Sequence, residues 1–459
     1  RWNYGQTRII WIMSKIEVNT VDVQCGSTLT LGSSGKTVTL ACGATQSGFG
    51  RTGTVNWCTT AKTATFTAVS GKGYFVNTTG GAITVNLPAG TAGDIIGLKD
   101  YAGTWATACK AVTLNPNGAE KIGGGNALDP SVSTEGASLL LVYVDGTQGW
   151  LSTDYSVTPS PSGLENFICA SGGTPSQSGD YEIRTFTGTG SFVVNSLATN
   201  SPNNVIDYVV VAGGGGAGTG TSAGAGGGGA GGYRSFGPVS VSVQTYPVTI
   251  GGGGAGTGPG NSPQPGAASG TTSTFISNSS AGGGGGGSQN PGSAPERNGK
   301  AGGSGGGGSY PSASGGAGDT PPVSPPQGNA GAAIGGCNGG GGGGAGAAAI
   351  QASGPSVSSP GGAGVDISPS YGPGVGVSGF VAGGGGGGNY DAPGSAAGGS
   401  GGGGAGAAKT CAAAVGTDGT ANTGGGGGGA ASRAGSPAGP GMQGGNGGAG
   451  VVIIRYKRQ

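Results

Sequence analysis

Unbroken glycine runs dominate the second half of this chain: positions 213–216, 226–229, 251–254, 282–287, 339–344, 383–388 and 424–429 hold nothing else. Glycine loses more conformational freedom on ordering than any other residue, roughly 0.5–1 kcal/mol more than alanine in a regular element. Such runs belong either to a flexible linker or to a structure in which no side chain fits. Gly-X-Y triplets are not sustained over any long stretch, which excludes a collagen triple helix. Only 8% of residues are charged and the net charge is +1, so neither charge-driven disorder nor a basic field for nucleic acid is available.

Two β-branched stretches bracket the glycine region. Residues 205–211 (Val-Ile-Asp-Tyr-Val-Val-Val) lead into it, and residues 451–456 (Val-Val-Ile-Ile-Arg-Tyr) lead out. Both read as strands, and pairing them places the ends of the region side by side, which a linker does not need. Between them the sequence predicts a bundle of polyglycine helices of the polyproline II type, with about three residues per turn and about 3.1 Å rise. That helix has no internal hydrogen bonds, so its N–H and C=O groups must find partners on neighbouring helices. The interior is then a backbone network, which accounts for the shortage of large apolar residues. Segments between the runs, rich in Pro, Ser, Asn and Thr, read as loops joining successive helices.

The N-terminal part alternates in the strand manner at residues 37–40, 64–69, 74–77, 82–87, 111–114 and 139–144, separated by Gly, Pro, Asn and Asp turn signals. Asp145 to Trp150 closes a hairpin. The expected organisation is an N-terminal arm or over-extended reading frame at 1–13, a β-structured module at 14–155 and a Pro/Ser linker at 156–164. A glycine-rich domain then fills 165–459, with a β collar at 165–212, the bundle at 213–449 and a closing strand at 450–456. In the collar, residues 181–186 and 191–195 are expected to form a hairpin across Thr187 to Gly190.

Chemistry is sparse. Seven cysteines (Cys25, Cys42, Cys58, Cys109, Cys169, Cys337 and Cys411) show no CxxC pair, and histidine is absent, so no metal site or cofactor is expected. The cysteines read as free thiols packed as small apolar residues, with a disulfide among the first four left open. Ser34 to Thr37 echoes a phosphate-binding loop but lacks its first glycine and precedes a strand. One imperfect calcium-type nonapeptide at 361–367 reads as a loop. The carboxylates Glu296, Asp319, Asp366, Asp391 and Asp418 fall in separate loops, and the commonest general base is missing, so no enzyme is expected. Loop aromatics are the binding candidates: Tyr310, Tyr371, Phe380 and Tyr390, since exposed rings stack on sugars and anchor protein interfaces.

The strand at 205–211, the repeated glycine runs and the closing Gly-Gly-Ala-Gly-Val-Val-Ile-Ile-Arg-Tyr together resemble the glycine-rich domain of bacteriophage tail fibres and tail-tip adhesins, over about residues 165–456. Residues 73–88 and 141–151 also resemble β-structured modules of marine and cyanobacterial phage fibres. The resemblance implies an all-β protein: an N-terminal β-rich fibre module followed by a polyglycine II helix bundle closed by short strands. It implies a homotrimer of the virion, synthesised in the host cytoplasm, that recognises a bacterial surface glycan or outer-membrane protein. Other tail-fibre or baseplate proteins are further partners; nucleic acid and membrane insertion are not expected. A self-assembling extracellular or surface filament is the alternative. An ice-binding polyglycine protein is another, against which the irregular loop at 321–326 counts.

Overall fold

A computed structural model of the chain describes residues 55–458, apart from 107–109, 125–130, 133, 154–166, 199, 221–222, 259–264, 290–293, 355–356, 358, 391–393, 409–414 and 432–441. The expected arm at 1–13, the strand at 37–40, the linker at 156–164 and Asp391 lie outside these residues. Among the described residues, regular structure is nearly all strand, with two single helical turns at Ala294–Arg297 and Ser368–Tyr371 and one 3-10 turn. The protein is all-β, as its sequence leads one to expect.

The first part contains β1 (Asn56–Lys62), β2 (Phe66–Thr67), β3 (Lys72–Val76), β4 (Ile83–Asn86), β5 (Ile95–Asp100), β6 (Val112–Asn115), β7 (Ser131–Val132), β8 (Ser138–Asp145) and β9 (Gly149–Ser152). These strands form two sheets, ordered β1-β3-β5-β8-β9 and β2-β4-β6-β7. β1, β3 and β5 run parallel, as do β2, β4 and β6. The chain therefore coils, each turn adding one strand to each sheet, until β7 joins β6 and β8 joins β5, both antiparallel, and the coil ends. Inward residues of both sheets, among them Val76, Val85, Ile96, Leu98 and Leu114, make one core with Trp105 and Trp150.

Asp100 fixes the corner after β5. Its carboxylate is buried and accepts N–H bonds from Ala102, Gly103, Thr104, Trp105 and Gly136 at 3.0–3.3 Å. The β8–β9 hairpin forms where Asp145 to Trp150 predicts it. Its turn needs glycine at Gly149, where φ is +71° and an added Cβ would lie 1.8 Å from the Lys121 carbonyl oxygen.

The second part opens with β10 (Cys169–Ser171), β11 (Thr174–Ser178), β12 (Tyr181–Phe186), β13 (Gly190–Ser196), β14 (Val205–Val211), β15 (Tyr233–Ser240), β16 (Thr245–Thr249), β17 (Ser273–Phe275) and β18 (Asn278–Ser280). It closes with β19 (Val365–Asp366), β20 (Phe380–Val381) and β21 (Val451–Lys457). Two five-stranded sheets result, β10-β13-β16-β17-β18 and β11-β12-β21-β14-β15. The expected pairing of the bracketing strands is present: β14 and β21 are antiparallel neighbours, with Val209 opposite Ile453.

The expected hairpin of residues 181–186 with 191–195 does not form. β12 pairs with β11 and β21, and β13 with β10 and β16, so the turn between them crosses from one sheet to the other. Burial is the reason. Phe186 and Phe192 both enter the core between the sheets, which a shared sheet with a tight turn would not require. β14 and β21 are buried on both faces, which explains their nearly continuous apolar character. Ile206, Tyr208, Val210, Val452, Ile454 and Tyr456 face the core between the sheets. Val209, Val211, Val451 and Ile453 face a second cluster with Ile367, Tyr371, Val375 and Val381. The expectation of free thiols fails at Cys169, which is disulfide-bonded, a pairing that cysteine spacing does not reveal; Cys58 is free.

The glycine runs are neither strand nor α-helix, and they are largely buried. Their hydrogen bonds follow a rule. In the stretch 225–232, N–H donors step through three neighbours and return to each at every third residue. Gly226, Gly229 and Gly232 donate to Gly287, Gly284 and Ala281; Gly227 and Ala230 to Gly340 and Gly343; Ala225, Gly228 and Gly231 to Ala430, Gly427 and Gly424. The carbonyls of the same stretch accept from three other stretches: 226, 229 and 232 from Gly218, Gly215 and Ala212; 227 and 230 from Gly307 and Ser304; 225 and 228 from Gly388 and Gly385. One run is thus ringed by six, at N···O distances of 2.8–3.1 Å.

Candidate functional site at the loop end of the glycine-rich region

The pairings give the runs two ends. At one, Val211 passes from β14 into the first run, Gly231 donates to Gly424, and Gly450 donates to Gly251 just before β21; this is the sheet end. At the other, Gly220 bridges to Met442 and Gly224 donates to the Cys337 carbonyl; this is the loop end.

Buried polar side chains close the loop end. A glycine run that stops leaves backbone groups without the next neighbour's partners, and a buried orphan group is costly. Side chains take over here. Thr219 N–H donates to Ser288 Oγ at 3.3 Å, Ser288 Oγ to Thr257 Oγ1 at 3.2 Å, and Ala223 N–H to Gln289 Oε1 at 3.0 Å. Ser309 Oγ donates to the Gly224 carbonyl at 3.3 Å, and Asn338 Nδ2 to the Val357 carbonyl at 3.0 Å. Asn389 Nδ2 donates to the Gly394 carbonyl at 2.7 Å, while its buried Oδ1 has no partner. The sequence carries a signal for this layer that residue-type arguments miss: Ser288, Ser309 and Asn389 each directly follow a glycine run, and Asn338 directly precedes one.

The four candidate aromatics divide between the two ends. Tyr310 follows Ser309, and Tyr390 donates its N–H to Asn338 Oδ1 at 2.7 Å, so both are placed around the loop end of the central run. Both are half-buried. Tyr371 and Phe380 sit at the sheet end instead. Tyr371 is 5% exposed, packed in the cluster outside β14 and β21, with the Arg455 guanidinium 5.6 Å from its ring. Burial, reinforced by Tyr233 and Asp207, pushes its hydroxyl well above the usual tyrosine range. Phe380 is half-buried and pairs through β20 with Asp366. Of the four, Tyr310 and Tyr390 lie at the loop end. Exposed apolar residues occur in the connecting segments: Val357 at 44%, whose carbonyl accepts from Asn338 Nδ2, Ile350 at 70% and Val415 at 48%.

The carboxylates are dispersed. Asp319 Oδ1 accepts from Val323 and Gln327 N–H, and Asp418 Oδ1 from Asn446 N–H. Asp366 accepts from the Ser368 hydroxyl and N–H, and these bonds hold its carboxyl below the usual range. Glu296 and Arg297 adjoin the loop end: their carbonyls accept from Ser288 and Ser309 N–H, and Arg297 Nη1 donates to the Pro311 carbonyl at 3.2 Å. The loop end therefore offers aromatic contact with amide and hydroxyl hydrogen bonding, and one carboxylate and one guanidinium beside it. A family model described as a glycine-rich domain matches residues 185–457, from within β12 to the end of β21. No curated protein matches the chain.

Proposed function

Because this chain belongs to the glycine-rich domain family across residues 185–457, we propose that it is a structural adhesion protein of a phage tail fibre, recognising a bacterial surface through loops on a polyglycine II scaffold. The single observation that carries this reading is the central run, whose donors return to the same neighbour at every third residue while six runs surround it. A three-residue period of outward bonds supports the polyproline II reading, since that geometry has about three residues per turn and no internal hydrogen bonds. A scaffold stiffened by backbone bonds can hold loops in place while leaving their sequences free to vary. Tyr310 and Tyr390, with Ile350, Val357 and Val415, are the contact residues in this reading. Their chemistry suits a neutral surface glycan or the loops of an outer-membrane protein, where aromatic rings supply rigid apolar area. The chain acts by binding and not by catalysis, as a trimer within the virion.

The test is a screen of bacterial isolates with the fluorescently labelled full chain, followed by the Tyr310→Ala/Tyr390→Ala double variant on any isolate bound. The variant is expected to bind at least about tenfold more weakly, the scale of losing an aromatic anchor, with its thermal transition unchanged. Undiminished binding removes these residues from the site. Binding to no isolate, together with filaments formed by the pure chain, supports the filament reading instead.

A further inference from the structure

The sheet β11-β12-β21-β14-β15 is made of two hairpins that touch only through the last strand. β11 pairs with β12 across a two-residue turn, and β14 pairs with β15 through the outgoing and returning glycine stretches of residues 212–232. β21 lies between them, paired antiparallel to β12 on one side and β14 on the other. Take β21 away and β12 and β14 become edges flanking a gap one strand wide, lined mainly by apolar side chains, with the buried Glu182–Arg184 ion pair of β12 opposite Tyr456 and Ile454. We propose that this gap is a strand-accepting slot for an extended, β-branched peptide, which the chain fills with its own C-terminal strand, and that Arg455 sets the register of the occupant.

The register argument rests on what the slot cannot read. A strand with one polar face resists a one-residue slip, because the slip turns its apolar side outward. β21 has no polar face: Val451 and Ile453 enter one cluster, Val452, Ile454 and Tyr456 the other. A slipped Val-Val-Ile-Ile stretch would still bury apolar groups on both sides. Arg455 breaks the degeneracy. In the observed register it stands between Ile183 and Asp207. Its Nη2 and Nε donate to Asp207 Oδ2 at 2.6 and 3.2 Å, and its Nη1 donates to the Ser370 carbonyl at 3.0 Å. Its guanidinium lies 4.4 Å from the centre of the Tyr181 ring. A one-residue slip would drive this charge into the aromatic core beside Phe192 and set an isoleucine or tyrosine against Asp207. The Ser370 bond extends the effect to the segment from β19 to β20, which packs over the slot through Ile367 and Tyr371. Main-chain pairing on two edges supplies affinity, and Arg455 supplies alignment, seconded by the bond that Arg184 Nε donates to the Tyr456 hydroxyl at 3.3 Å, the division of labour found where peptides add to sheet edges.

The test uses the full chain with a protease site inserted between residues 436 and 437, cut after folding, so that the last strand is held without a covalent tether. In denaturant at which the uncut chain stays folded, isotope-labelled peptide of residues 442–458 is added and its incorporation followed by native mass spectrometry. Incorporation of one peptide per chain is expected, with the amides of β12 and β14 remaining protected from exchange. The Arg455→Ala peptide is expected to compete at least about tenfold less well, and Arg455→Lys to fall between, since lysine keeps the charge but loses the planar fork. The proposal fails if the cut fragment never exchanges below global unfolding. It fails equally if the fragment leaves without replacement, or if a peptide with residues 451–456 in reversed order enters as well as the native one.

Discussion

Replacing Gly228 by alanine is expected to destabilise the glycine-rich region by at least about 3 kcal/mol, the upper part of the range for overpacking a rigid interior. An added Cβ would lie 2.0 Å from the Gly215 carbonyl oxygen and 2.7 Å from its carbon. The obstacle is backbone, so no rotamer change relieves it. Moving Gly215 breaks its own bond to the Gly229 carbonyl and shifts Gly427, which donates to Gly215 in turn. Backbone conformation is not the issue, since glycines 226–229 all avoid the left-handed region. Gly252→Ala is the control. There the nearest atom to an added Cβ is Thr271 Oγ1 at 3.9 Å, and lower unfolded-state entropy should leave stability unchanged or raised by up to about 1 kcal/mol. Calorimetric unfolding of the two variants checks the pair. Equal effects would mean that close backbone approach does not hold the runs together.

Phe192→Ala is expected to cost about 3–5 kcal/mol, the range for emptying a buried aromatic site. Phe192 is fully buried on β13, with its ring centre 6.1 Å from Phe275, 6.4 Å from Tyr246 and 5.9 Å from Tyr456. Tyr456 belongs to the opposite sheet, so the ring joins the two layers. Phe192→Leu should cost under about 1.5 kcal/mol, because most of the volume is kept. Hydrogen exchange during urea unfolding is the measurement of choice, since it reads the sandwich and the runs separately. Loss of protection in the runs together with the strands would show that the sandwich fastens them. A cost below about 1 kcal/mol would mean that the inter-sheet core is not where the collar gains its stability.

Residues 205–211 and 451–456 announced their pairing because a strand buried on both faces must be apolar almost throughout, and little else in this chain is. The hairpin expected at 181–195 failed for a complementary reason. Alternation identifies a strand but carries no record of which neighbour it chooses, and Phe186 and Phe192 are drawn to the core from opposite sheets. The same blindness hid the parallel coil of the first part, since the alternation at 74–77, 82–87 and 111–114 does not say whether neighbours run parallel. β5 escaped notice because Gly97 and Lys99 interrupt it on its outward side. At the loop end, aromatic residues drew attention by type, although Tyr371 is core and Phe380 lies at the sheet end. What organises that end is Ser288, Ser309, Asn338 and Asn389, short polar residues that mean little until the run beside each is known to need a partner.

An interior of peptide groups responds to temperature differently from one of side chains. Exposing apolar surface on unfolding raises the heat capacity, whereas exposing polar surface lowers it, and the usual large positive change comes from the first term outweighing the second. In the run ringed by six others the balance moves toward the second. The glycine-rich region therefore has a shallower stability curve than an oil-cored domain of equal length, with less loss of stability on cooling. Its solidity is enthalpic, residing in bonds whose worth changes slowly with temperature, so a body of this kind keeps much the same stiffness in cold water as in warm.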